Sequence, residues 1–154
     1  MAEPEPSAGD VPRRRYPCAE CPFRRDTPPG MFPACRYDAL RATAGAPGRE
    51  APLGAPMFAC HKSAEGGEEA CAGWLAVEGY GHLGVRLAVA LERLPVSALS
   101  PGAGRPELFG SYGEMSAVQG GEGLTTPTQA KDPSNPQQPA RTRPRPDLKP
   151  TENP

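Results

Sequence analysis

No apolar run in this 154-residue sequence approaches the roughly 18–20 residues needed to span a bilayer. No membrane-spanning segment is therefore expected. There is also almost no net charge, −1 at pH 7, so the chain lacks the overall basic character of a general nucleic-acid binder. The opening residues, MAEPEPSAGDVP, are acidic and proline-rich. A secretory leader would instead be basic and then apolar, so the expected setting is a reducing cytoplasm, where structural disulfides are rare. Recognisable catalytic signatures are missing too. There is no Ser/His/Asp pattern, no phosphate loop and no supported pair of carboxylates. The stretch GYGHLG has three glycines but not the spacing of a dinucleotide loop, and no strand precedes it.

What the chain has in quantity is proline and glycine. Twenty-two prolines and eighteen glycines make up about a quarter of it, near the level at which composition argues for unstructured segments. From 119 to 154 there are eight prolines and no aromatic residue. Such a segment cannot bury enough apolar surface to offset the entropy of ordering it. The expected layout is a disordered arm over 1–12, a folded domain over 13–95, a weakly structured linker over 96–118 and a disordered proline-rich tail over 119–154. Scattered apolar residues in the linker (Leu99, Leu108, Phe109, Tyr112) can dock on the domain or form a short helix. The tail contains P-x-x-P spacings, which read as a flexible linker or as a docking ligand. About eighty residues then carry the fold, and a core that small needs a metal, a disulfide or a partner.

Within the domain, Pro22, Pro28, Pro29 and Gly30 make Cys18–Phe32 a turn and loop. A short helix is predicted over Arg36–Gly45, with Tyr37, Leu40 and Ala44 on one stripe. Met57–Ser63 reads as a short strand and Ala64–Ala70 as an exposed turn. The best helix pattern runs from His82 to Leu94. Leu83, Leu87, Leu91 and Leu94 recur there on one face, and Pro95 ends it. Cys71–Val77 is a separate helical turn. The fold class expected is a small α+β domain organised by a metal, with two or three short helices and much irregular structure.

Five cysteines in a reducing setting point to metal or redox chemistry more than to bridges. Cys18, Cys21, Cys60 and Cys71 form the pattern C-x2-C-x38-C-x10-C. Four thiolates around a tetrahedral ion is a standard structural zinc arrangement. The C-x2-C pair works because a tight turn aims both sulfurs at one point. A proline after Cys21 is harmless if the useful N–H belongs to a later residue such as Phe23. Cys60 and His61 are adjacent, and on an extended segment they point to opposite faces. Cys60 is the chosen ligand and His61 the second choice. Cys71 precedes a helical turn, whose dipole is expected to lower its pKa. Cys35 falls in no recognisable spacing and reads as a small half-buried residue. The same four cysteines also suit a [4Fe–4S] cluster, the alternative to zinc. A thioredoxin-like role needs the pair to open a helix, which the surrounding prolines oppose.

Other candidates have plain readings. His82 is a helix-end or surface residue, and Trp74 packs against the metal turn. Arg13, Arg14, Arg15, Arg24 and Arg25 form a small basic face. It reads as solvated surface, or as a weak contact for nucleic acid.

The blocks CAECPFRRDTPPGMFPACRYDALRATAG, PLGAPMFACHKS and CAGWLA resemble, in order, a small domain family of unknown function from actinobacteria and their phages. Its motifs are C-x2-C-P-[WF]-R, a PPG loop, F-x-C-H-K and C-x-G-W-L. The resemblance covers about Cys18 to Leu94 and implies that Cys18, Cys21, Cys60 and Cys71 belong to the family motif. It supplies no activity. Phe23 stands where tryptophan is common. The expected function is a non-enzymatic zinc-stabilised module binding a protein or nucleic acid. An iron–sulfur redox or sensor protein is the alternative, and a hydrolytic zinc enzyme with His61 beside an open position comes last.

Overall fold

The computed structural model of the chain describes residues 7–100 and 102–120. Four short helices run through them: α1 (Ala34–Leu40), α2 (Ala72–Glu78), α3 (Leu83–Ala90) and α4 (Tyr112–Gln119). Single 3-10 turns occupy Arg41–Thr43, Gly79–Gly81 and Val96–Leu99. Extended segments meet only at isolated bridges, so among the described residues the β part of the expected α+β fold is no more than that. None of the helices described is long and apolar enough to cross a membrane.

The core is built around α2. Ala72, Gly73, Trp74, Leu75 and Glu78 are all buried, a helix covered on nearly every side. Phe23 and Phe58 meet edge to face at 5.3 Å beneath it, and Tyr112 tilts against Phe23 at 6.1 Å. Glu78 is a buried carboxylate that accepts backbone N–H groups from Tyr112 and Gly45, so its charge is satisfied where it would otherwise be costly.

α1 starts two residues earlier than predicted, after Pro33, and buries Tyr37 as the pattern implied. α3 differs more. His82 is its N-cap, buried, with Nδ1 accepting from Val85 N at 3.2 Å. Nε2 then carries the proton and donates towards Ala55 O and Pro56 O. The ring also meets Trp74 edge to face at 5.4 Å. α3 does not bury its leucine stripe. Val85 and Ala88 face the core, while Leu87 and Leu91 are 47% and 56% exposed. The helix closes on Glu92, whose φ of 57° is left-handed. Leu94, beyond that turn, is buried.

In the segment expected to be a weakly structured linker, the scattered apolar residues both dock on the domain and lead into a short helix. Leu99, Phe109, Tyr112 and Met115 all lie in the core. α4 has a side-chain cap: Ser111 Oγ accepts from Glu114 N, and Glu114 reaches back to Gly110 N. The N-terminal arm also joins the domain where it is described. Val11 N donates to Arg93 O, and Ala70 N to Pro12 O. The disorder expected for the rest of the arm and for 121–154 falls outside the described residues.

Candidate metal centre

The first two cysteines sit on a turn with its own hydrogen bonds. Cys21 N donates to Cys18 O at 3.0 Å, and Arg24 N donates to Cys21 O at 3.1 Å. Thr27, itself buried, donates its hydroxyl to the same Cys21 carbonyl at 2.7 Å. The turn is tied to distant chain where Phe109 N donates to Phe23 O.

The wide spacing between Cys60 and Cys71 is a short out-and-back loop. Ala59 and Ala70 pair antiparallel, Cys60 N donates to Glu69 O, and Cys71 N donates to Phe58 O. Two turns, at 60–63 and 64–67, reverse the chain. Ten intervening residues thus return Cys71 to the extended segment that carries Cys60, which a straight count could not show.

The four cysteines fall into adjoining groups. Cys21 Sγ lies 3.5 Å from Cys71 Sγ, both buried. The ligand atoms of Cys18, Cys60 and His61 lie within 4.8 Å of one another, a grouping able to hold a metal ion. His61 Nε2 is 4.0 Å from Cys18 Sγ. The groups interact electrostatically: Cys60 and Cys21 both push Cys18 up, and Cys21 and Cys60 both push Cys71 up. Cys35 is exposed at the start of α1.

The expectation that Cys60 and His61 face opposite ways rested on an extended segment. His61 instead opens a turn, closed by Ser63 N on Cys60 O at 2.9 Å, and both side chains reach the Cys18 sulfur. The imidazole packs edge to face on Phe32 at 5.2 Å, with a Glu20 carboxylate oxygen 3.6 Å from Nε2.

The electrostatics divide the buried pair unequally. Cys21 is held below the ordinary thiol range, first by a hydrogen bond from Cys71 and further by backbone N–H groups of Phe23, Arg24 and Gly73. Cys71 is pushed well up by donating to Cys21 and by burial. The start of α2 was expected to lower Cys71. Its Gly73 N–H goes to Cys21 instead, and Cys71 receives only that of Trp74. Cys18 is raised, chiefly by burial, against the pull of the Glu20 N–H. Gly73 is required here: a Cβ on it would stand 2.6 Å from Cys21 Sγ.

The basic residues are largely answered locally. Arg24 pairs with Asp26, and Arg25 with Glu114 and Glu107. Arg14 pairs with Glu69 at 3.0 Å. Arg13 joins the backbone bridge to Ala70, and Arg15 is exposed beside it. Trp74 is fully buried. A hollow of about 800 Å³ lies between the 3-10 turns and α3, lined by Val77, Tyr80, Val89 and Leu99, and no cysteine lines it.

No curated protein and no solved structure matches the chain. A family does: the match covers residues 13–132, which takes in every cysteine described above and α4 beyond them. The chain therefore belongs to the family of unknown function DUF6283.

Proposed function

We propose that this chain is a non-enzymatic, zinc-stabilised binding module in which Cys18, Cys21, Cys60 and Cys71 hold one ion. The observation that carries the reading is the meeting of sulfurs from two remote segments, with Cys21 and Cys71 only 3.5 Å apart. At a Zn–S distance of about 2.3 Å, two thiolates on one tetrahedral ion stand roughly 3.8 Å apart. Thiolates on the separate irons of a [4Fe–4S] cluster stand well beyond that. The spacing therefore favours a single ion over the cluster. Four sulfurs also close the coordination shell, which disfavours a hydrolytic site. The backbone N–H groups on Cys18, Cys21 and Cys71 suit thiolates that must stay charged in a buried place.

The partner we favour is a protein. Arg14, Arg24 and Arg25 already face carboxylates, which leaves little charge for a phosphate backbone. The ion's role is structural: it ties the early turn to the late loop and so fixes the surface that the partner meets.

Anaerobic purification followed by metal and sulfide analysis tests this. One zinc per colourless chain, with helicity lost on chelation, is the expected result. A brown protein with iron and sulfide would replace the reading with the cluster alternative. A folded chain indifferent to chelators would end both.

A further inference from the structure

We infer that Cys18 is the exchangeable ligand of this centre and that His61 is placed to take over its position, so that the ion remains bound when the Cys18 thiolate is withdrawn. The inference rests on the metal reading above and adds to it a route by which the site is opened and regulated.

The proposed ion needs four ligands, and five donors lie in two neighbouring sets: Cys18, Cys60 and His61 within 4.8 Å of one another, and Cys21 with Cys71 at 3.5 Å. Three of the sulfurs are fixed. Cys21, Cys60 and Cys71 are 0%, 5% and 3% exposed. Cys21 is held by three backbone N–H groups and pressed against Gly73, where there is no room to turn aside. Cys18 is different. It alone of the four is only half-buried. Of these four sulfurs, reagents from solvent meet this one first.

The atom nearest to replacing it is already there. His61 Nε2 is 4.0 Å from Cys18 Sγ, and both belong to one cluster with Cys60. The ring is positioned from outside the cluster by Phe32 and by the turn that begins at Cys60. Neutral imidazole is a normal zinc ligand, and three thiolates with one histidine is a standard structural set alongside four thiolates. A small swing of His61 thus converts one closed shell into another, and the tie between the early and late segments survives.

Cobalt(II) binding to full-length variants tests this, in a Cys35→Ser background that removes the exposed thiol. The parent should bind one cobalt with tetrahedral bands and four-thiolate charge transfer. His61→Ala should match it. Cys18→Ser should keep one tetrahedral cobalt, with charge-transfer intensity lower by about a quarter and affinity weaker by about 10–100-fold. Adding His61→Ala to Cys18→Ser should abolish binding, as Cys21→Ser alone should. A parent that binds no cobalt defeats the metal reading itself. A parent with four-thiolate bands but a Cys18→Ser variant as empty as Cys21→Ser defeats only this inference, as does loss of bands in His61→Ala alone.

A second measurement avoids folding defects. Iodoacetamide is added to the zinc-loaded parent. The Cys18 sulfur displaces iodide and forms an S–C bond. Peptide mapping should place the label on Cys18, with zinc retained, whereas labelled His61→Ala should release its zinc. Equal release from both proteins overturns the exchange.

Discussion

Gly73 sets two local forces against each other. Glycine inside a helix costs about 1 kcal/mol relative to alanine, so Gly73→Ala would stabilise α2 if nothing touched it. A Cβ there meets Cys21 Sγ at 2.6 Å and Phe23 Cβ at 2.9 Å, both in packed surroundings. Overpacking of this kind costs about 1–3 kcal/mol, so the net effect is expected to be destabilising. Urea midpoints of the zinc-loaded proteins measure it, and zinc affinity should fall with them because the Cys21 sulfur is displaced. His82→Ala should cost about 2 kcal/mol, since it removes a helix cap and leaves the carbonyls of Ala55 and Pro56 without their donor. His82→Asn keeps a capping side chain and should recover part of that loss in thermal melts. Tyr112 titrates late: burial pushes its pKa from 10.0 up to about 12. The folded state therefore holds the proton more tightly than the unfolded chain does. This contribution is complete below pH 10 and lost as pH rises from about 10 to about 12. Tyr112→Phe should flatten the decline in stability across that window.

At the scale of elements, α3 shows what periodicity can and cannot settle. Leu83, Leu87 and Leu91 make one apolar stripe, and Val85, Ala88 and Val89 make another. Hydrophobicity alone favours the leucines. Packing chooses the smaller set, because Gly79 lets Leu99 come within 2.4 Å of where a Cβ would be, and Val85 lies beside them at 3.5 Å. Bulky leucines would not fit so close a contact. Leu87→Gln should thus leave thermal stability within about 0.5 kcal/mol, whereas Val85→Ala should cost about 2 kcal/mol. Equal losses would show that the stripe is covered after all. α1 is readable from Pro33 and Tyr37, and the turn and loop at Cys18–Phe32 from its prolines. α4 is also within reach, since Ser111 and Glu114 have the spacing of a capping box, though few apolar residues accompany them. The return of Cys71 to the segment that carries Cys60 is legible in the sequence only as a spacing of ten. Two consecutive turns and the Ala59–Ala70 bridge close that spacing, and glycine-rich turn sequence does not specify that register. His61 is legible as a second-choice ligand, but not that it shares a side with Cys60: its segment has the composition of an extended strand, and it turns.

For the whole molecule the boundary of the domain matters most. The helix pattern stops at Pro95, and proline and glycine crowd the residues beyond it, so the sequence pattern points to a folded unit ending there. Yet the strand-poor framework offers little to close the core on that side. Leu99 lies against Gly79, Phe109 N bonds to Phe23 O behind the cysteine turn, Tyr112 packs on Phe23, and Met115 is fully buried. Burying side chains of this size contributes about 1.5–3 kcal/mol each. Four of them then supply an amount comparable with the whole stability of a small domain, about 5–15 kcal/mol. An ion held as proposed would not compensate, because Phe23 and the turn carrying Cys18 and Cys21 lean on the same late segment. A chain cut after Pro95 keeps every cysteine but should lack cooperative unfolding and should bind zinc weakly. A chain cut after Gly120 should melt and bind zinc like the full-length protein. Calorimetry of the two truncations, each loaded with one equivalent of zinc, distinguishes these outcomes. A sharp transition in the shorter chain would mean that the cysteine-bearing segments alone hold the fold.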